Sequence, residues 1–187
     1  MRIVVFDFDG TLSYKDSMKE LFNEQMSGWR KVYRIYYYLL KILAKLKITS
    51  VKFEKEQMLK LLFHSDLKEF ANVSREQAKR FPLNPLFAKV QEYIDNDDRV
   101  IVLSASSMYF LETVFEGMKV ELVCTTFKVS NGRILGIDRH PFYHEKVKCL
   151  KQMGIEQVDE MYYDSKWDEV LIPMCKVSHK VENGQIL

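Results

Sequence analysis

The chain has 187 residues, 47% of them hydrophobic and 29% charged, which is enough to bury a core and to carry one domain plus a substantial insertion. That balance excludes a disordered or collagen-like chain; three scattered cysteines (Cys124, Cys149, Cys175) without a CxxC pair indicate neither a disulfide framework nor a zinc site, and a reducing cytoplasm is expected. Net charge is +2, but residues 14–83 hold 15 Lys/Arg against 8 Asp/Glu, a net of +7 that leaves −5 for the remainder, so a basic middle segment and an acidic body are expected to have different tasks.

Arg2–Phe6 is short, rich in β-branched residues and stopped by Asp7 and Gly10, which predicts a buried strand rather than a signal sequence. From Ser13 to Phe81 the apolar spacing is three and four, with almost no glycine. Helices are predicted over Lys15–Met26, Trp29–Lys47, Val51–Phe63 and Leu67–Arg80, forming an all-helical insertion. Asn84-Pro85 caps and opens a further helix to about Asn96. Arg99–Leu103 and Val120–Cys124 are predicted strands, and Asn131-Gly132 marks a hairpin within Phe127–Ile137. A helix over Glu145–Met153 precedes strands at Glu160–Tyr163 and Cys175–Val181, which are separated by a short helix beginning near Lys166. Strands alternating with helices predict a doubly wound, mainly parallel α/β sheet, with residues 1–13 and 84–187 as the core and residues 14–83 as the helical insertion.

Polar residues gather at the ends of these strands. Asp7 and Asp9 stand two apart, so on an extended chain they point the same way, and two anions held together need a cation or a shared proton. A hard ion such as Mg²⁺ meets that need, since it prefers oxygen ligands and keeps sites for water and phosphate oxygen. A calcium EF-hand loop would place glycine sixth, whereas Gly10 is fourth and follows a strand. Taken alone, the two aspartates also fit a polar strand end that caps a helix. Beyond the second strand, Ser104-Ala105-Ser106 offers a hydroxyl and backbone N–H groups to a phosphate oxygen. Lys146, opening a helix, is a cation able to offset charge that develops in phosphoryl transfer, and Asp164 and Asp168 add two carboxylates four apart after another strand.

The order of these four motifs resembles the haloacid dehalogenase superfamily, in its phosphatase branch with a helical cap between the first and second motifs, and there the phosphoserine-phosphatase-like group. DFDGTL matches the first motif and the D-x-x-x-D of Asp164 and Asp168 the fourth. Val102–Ser106, the hairpin Phe127–Gly136 and Glu145-Lys146-Val147 are similar to members acting on phosphatidylglycerophosphate. The resemblance implies a Rossmann-like core and Mg²⁺-dependent hydrolysis of a phosphomonoester through an aspartyl-phosphate, the substrate being a small phosphorylated metabolite or a lipid phosphate such as phosphatidylglycerophosphate. It implies Asp7 as nucleophile and metal ligand, and Asp9 as general acid then base, giving the metal its backbone carbonyl. Ser104 and Lys146 would bind the phosphoryl group, Asp164 would ligate Mg²⁺, and Asp168 would hold the metal through water or position Lys146. Asp16 stands where phosphoserine phosphatases carry a substrate-binding acid; capping the helix near Ser17 is its bland role. Two departures stand out: Tyr162-Tyr163 where glycine often precedes the fourth-motif aspartate, expected to narrow the metal side of the cleft, and Ala105 after Ser104. A catalytically weak relative that binds phosphorylated ligands is the alternative, against which the intact carboxylates and Lys146 argue.

Trp29–Phe53 holds seven Lys/Arg and no acid. On a helix Arg30, Arg34, Lys41 and Lys45 form one stripe, and Val32, Ile35, Leu39, Ile42 and Leu46 another. Either the apolar stripe packs on neighbouring helices and the basic one is solvated, or the helix over residues 29–47 lies peripherally on the inner face of a membrane. It is not expected to span one, because its longest uncharged run, Ile35–Leu40, is six residues against the ~20 a bilayer needs. No nucleic-acid partner is expected, since the basic residues sit among aliphatics without a binding motif. His64, His140, His144 and His179 show no ligand spacing.

Overall fold

The computed structural model describes residues 1–187. Its first strand, β1 (Ile3–Phe6), leads through a loop into four helices, α1 (Ser17–Gln25), α2 (Tyr33–Lys45), α3 (Val51–Phe63) and α4 (Leu67–Ala78). Then follow α5 (Phe87–Asp95), β2 (Arg99–Ser107), α6 (Met108–Val114), β3 (Glu121–Thr125), the hairpin β4 (Phe127–Ser130) and β5 (Arg133–Ile137), α7 (His144–Gln152), β6 (Val158–Tyr163), β7 (Cys175–Glu182) and β8 (Gln185–Ile186). Short 3₁₀ turns occupy Gly28–Val32 and Glu169–Met174. The six-stranded sheet runs β3-β2-β1-β6-β7-β8, parallel except for β8. The expected doubly wound α/β core is therefore present, with the four helices inserted after β1.

Alternation along β1 divides the core between the two sheet faces. Val4 and Phe6 pack with Val100, Val102 and Tyr162 on one face, and Val5 with Ile101, Leu103 and Met161 on the other. In register, Phe6 lies beside both Val102 and Tyr162, so the residues after β1, within β2 and after β6 meet at one sheet edge. The strand order reverses at β1, the position where open α/β sheets bind ligands.

The inserted helices bury their own cluster, including Leu21, Phe22, Tyr37, Met58, Leu62 and Phe70. Three starts are capped by side chains: Asp16 accepts from Lys19 N at 2.8 Å, Ser50 from Phe53 N at 3.0 Å and Asp66 from Glu69 N at 2.8 Å. Asn84 ties the insertion's end to its beginning, its amide donating to Thr11 O at 2.7 Å and its backbone N–H to Leu12 O at 3.0 Å. The helix expected to open at Pro85 becomes regular only at Phe87. The β4–β5 hairpin turns at Asn131 (φ 48°) and Gly132 (φ 71°), as the Asn-Gly pair predicts. It packs on the insertion: Ile134 and Ile137 join the helical cluster, and Ile134 N–H donates to Ser65 O at 2.8 Å.

Trp29–Lys47 departs from expectation in two ways. Its first part is a 3₁₀ turn, and the α-helix begins only at Tyr33. The helix buries Tyr37 and Leu40, while the apolar stripe expected in one reading to pack on neighbours faces outward: Ile35 is 75% exposed and Leu46 63%. The insertion's core already closes around Tyr37 and Leu40, and no element covers the opposite side. No helix is long and apolar enough to cross a membrane.

Candidate active site

The loop after β1 leaves the sheet immediately beyond Phe6, carrying Asp7 and Asp9 to the edge where β2 delivers Ser104 and β6 delivers Asp164. Lys146, in the first turn of α7, reaches into the same place. Its ammonium donates to Asp7 Oδ1 at 2.7 Å and lies 2.5 Å from Asp168 Oδ1, and all three side chains are buried. Ser165 Oγ donates to Asp168 Oδ2 at 2.8 Å and fixes that carboxylate. Asp7, Asp164 and Asp168 bring ligand oxygens within 4.8 Å of one another. Gly10, with φ +83°, passes so close to Asp164 that a Cβ there would collide with the carboxylate, so this turn requires glycine for space as well as conformation.

Charge dominates this cluster. Three carboxylates face one lysine, a formal excess of two negative charges in a buried setting, which a hard divalent cation with oxygen ligands would neutralise. Burial first, then Asp168 and Asp164, hold the Asp7 carboxyl well above its usual range despite Lys146. Asp164 is pushed up to about 6, by burial and then by Asp168. Burial pulls the Lys146 ammonium down, but Asp7 and Asp168 outweigh it and hold it above the ordinary lysine range. The residues present fit Mg²⁺.

Asp9 is held differently. The expectation that Asp7 and Asp9 share one cation through side chains pointing alike is not met: both border the cleft, but Asp9 Oδ1 accepts from Ser17 N at 2.8 Å and Oδ2 from Ser106 Oγ at 2.7 Å. The chain has already left the strand at Phe6, so strand alternation does not govern these two side chains. Burial, then Asp16, pushes the Asp9 carboxyl up to about 7, the range in which one group can both give and take a proton. Ser104 is buried beside it, its hydroxyl 3.1 Å from that of Ser106.

The cleft, of about 470 Å³, lies between the sheet edge and the insertion. Asp7, Asp9, Asp16, Ser104, Lys146, Asp164 and Asp168 all line it. Asp16 both caps α1 and borders the cleft, so its two roles coexist. The insertion adds Lys55, whose ammonium donates to Ala105 O at 3.0 Å, together with Tyr37, Lys41 and Glu54. Burial lowers the Lys55 pKa, opposed by Asp16 and Asp9. Sequence reasoning missed Lys55, one basic residue among many on an amphipathic helix. It also missed the part Ser17 and Ser106 play in holding Asp9, although Ser106 stands in the second motif.

Tyr162 and Tyr163 do not narrow the cleft. Tyr162 stacks on Phe6 at 4.7 Å between ring centres, and Tyr163 packs on the other sheet face beside Val5 and Met161, because strand alternation sends them into the two cores. His140 is buried against Thr125 at 2.8 Å and His179 stacks on Tyr162; none of the four histidines lines the cleft.

Comparison with solved structures finds the same fold repeatedly. A protein of unknown function from Bordetella pertussis Tohama I is 21% identical, with a TM-score of 0.76 over 94% of this chain and 88% of that one. A phosphoserine phosphohydrolase-like protein from Francisella tularensis is 14% identical, with a TM-score of 0.67 over 92% and 82%. A phosphoserine phosphatase captured as a phospho-aspartyl intermediate analogue is 15% identical, with a TM-score of 0.60 over 97% and 94%. No curated protein sequence matches the chain. The family model described as haloacid dehalogenase-like hydrolase matches residues 4–166, from the first strand through the second carboxylate-bearing strand end, and the chain belongs to that family.

Proposed function

We propose that this hydrolase cleaves phosphomonoesters through a covalent phosphoryl-Asp7 intermediate and depends on Mg²⁺. The observation that carries the proposal is the buried arrangement of Asp7, held by Lys146 and flanked by Asp164 and Asp168, opening on a cleft with Asp9 across from it. When bound by Asp7, Asp164 and the Asp9 carbonyl, with Asp168 beside them, Mg²⁺ supplies Lewis-acid polarisation and offsets phosphate charge. The Asp7 carboxylate attacks phosphorus; the bond to the ester oxygen breaks as Asp9 gives its proton to the leaving alkoxide. A water then attacks phosphorus, Asp9 takes its proton, and the bond to Asp7 breaks to release inorganic phosphate. Lys146 and Ser104 hold the phosphoryl oxygens throughout, and division into two displacements lowers each barrier. Asp16, Glu54, Lys41 and Lys55 give the far wall both signs of charge, which supports a polar phosphorylated metabolite as substrate. The solved relatives named phosphoserine phosphatases support the same class. A lipid phosphate is the second class, favoured by the outward apolar face of α2.

The test uses a generic aryl phosphate. Turnover with Mg²⁺ should stop in excess chelator and return on adding the metal back. Asp9→Asn should slow both proton transfers, so mass spectrometry of that variant should find a phosphoryl group on the peptide containing Asp7. Undiminished turnover in chelator would remove the metal from the mechanism, and no phosphorylated enzyme in any variant would remove the covalent step.

A further inference from the structure

Ile35, Leu39, Ile42 and Leu46 follow one another at spacings of four, three and four along α2, and they are 75%, 49%, 56% and 63% exposed. Val32 and Trp29, on the preceding turn, are 58% and 74% exposed. An aliphatic stripe of this length on a soluble surface marks a contact that the chain alone does not make. Along one edge run Arg34, Tyr38 and Lys45, four and seven apart and all exposed. The segment Trp29–Phe53 contains seven cations and no acid, and none of its seven cations forms an ion pair with a carboxylate.

The charge decides the occupant. A second copy of the chain docked stripe to stripe would bring these unpaired cations face to face with no carboxylate on either helix to offset them. An anionic, largely apolar partner meets both halves of the surface, and a bilayer interface presents both at once. Aliphatic side chains enter the boundary of the acyl region, aromatic residues such as Trp29 and Tyr38 sit at headgroup depth, and lysine and arginine meet anionic headgroups. The helix is too short and too charged to span. We propose that the exposed face of α2 docks the protein on the surface of a membrane rich in anionic lipid.

The stripe lies on the side of α2 away from the cleft. Tyr37 and Lys41, which line the cleft, are two residues out of phase with Ile35 and Leu39, and so about 200° around the helix. Docking therefore leaves the site open, and substitutions on the stripe do not touch it. The proposal goes beyond the hydrolytic reading and fails separately from it.

The test is co-sedimentation of the full chain with phosphatidylcholine vesicles and with vesicles that also contain phosphatidylglycerol. Partitioning should be at least tenfold stronger to the anionic vesicles and should weaken in high salt as surface charge is screened. The variant I35S/L39S/I42S should lose that binding while hydrolysing a soluble aryl phosphate, without vesicles, at the wild-type rate. Because these side chains are exposed, the variant should fold; circular dichroism and that soluble rate verify it. Trp29 fluorescence should shift to the blue on anionic vesicles, and the shift should vanish in Trp29→Phe. Equal, weak binding to both vesicle types would overturn the proposal. So would vesicle binding indifferent to the triple substitution. Light scattering that shows a wild-type dimer dispersed by the triple substitution would assign the face to self-association instead. Absence of hydrolysis with vesicle binding intact would count against the phosphatase mechanism alone.

Discussion

Asp7→Asn should lower turnover of a generic phosphate ester by about 10⁴-fold or more while leaving the fold unchanged. The amide keeps the shape of the side chain but has no nucleophilic oxygen anion, and a covalent route leaves no second group at that position to take its place. Folding should not suffer, because the substitution removes one of three carboxylates that crowd a single lysine, and Lys146 keeps its partner Asp168 at 2.5 Å. Burial already disfavours the charged form of Asp7, so the metal-free variant should unfold at the same urea concentration as the wild type or a higher one. Steady-state rates and a urea titration check the two halves independently. Turnover near the wild-type rate would take the nucleophile's role from Asp7, and a lower unfolding midpoint would contradict the electrostatic account.

The second large effect is on stability. Lys146→Met should cost about 3–5 kcal/mol in the metal-free protein, because it strips the only cation from buried Asp7 and Asp168 and leaves their charges uncompensated. Saturating Mg²⁺ should recover part of the loss, since an ion that binds the folded state alone stabilises it by mass action. A pH dependence follows from Asp164. Its folded pKa of about 6 is above the unfolded value, so the folded state binds its proton more tightly. The stabilisation due to that proton is complete below the unfolded pKa of about 4 and is lost as pH rises through the folded value. The gap between Lys146→Met and wild type should be widest above pH 6 and should narrow toward pH 4. Urea unfolding with and without Mg²⁺ across that window measures it, and a midpoint that does not move would show that Lys146 does not hold the carboxylates together.

Much of the fold was legible because its signals are local. Val4-Val5-Phe6 announces a buried strand by its composition, Asn131-Gly132 announces a hairpin because both residues accept positive φ, and the inserted helices announce themselves by apolar spacing. A second Asn-Gly pair, Asn183-Gly184, turns β7 into β8 by the same rule, and it went unread because β8 is only two residues long, too short to show alternation. The helix α6 also went unread, since the run through Met108–Val114 is brief and continues directly from a strand.

The chemistry divides along the same line. Asp7, Asp9, Lys146, Asp164 and Asp168 stand near strand or helix ends and Ser104 within the C-terminal half of β2, and the order of these motifs made them legible in the sequence, since parallel strands in register carry such positions to one edge. Long-range packing decided the rest. Asp9 turns to Ser17 and Ser106, which come from an inserted helix and another strand, 8 and 97 residues away in the chain. Lys55 meets Ala105 over 50 residues, and nothing in its own segment separates it from the lysines around it. The outward face of α2 was decided in the same way. Amphipathic spacing specifies that a helix has two faces, but which face is buried depends on where neighbouring elements close the core, and here they close on Tyr37 and Leu40 and leave the aliphatic stripe to whatever meets the surface.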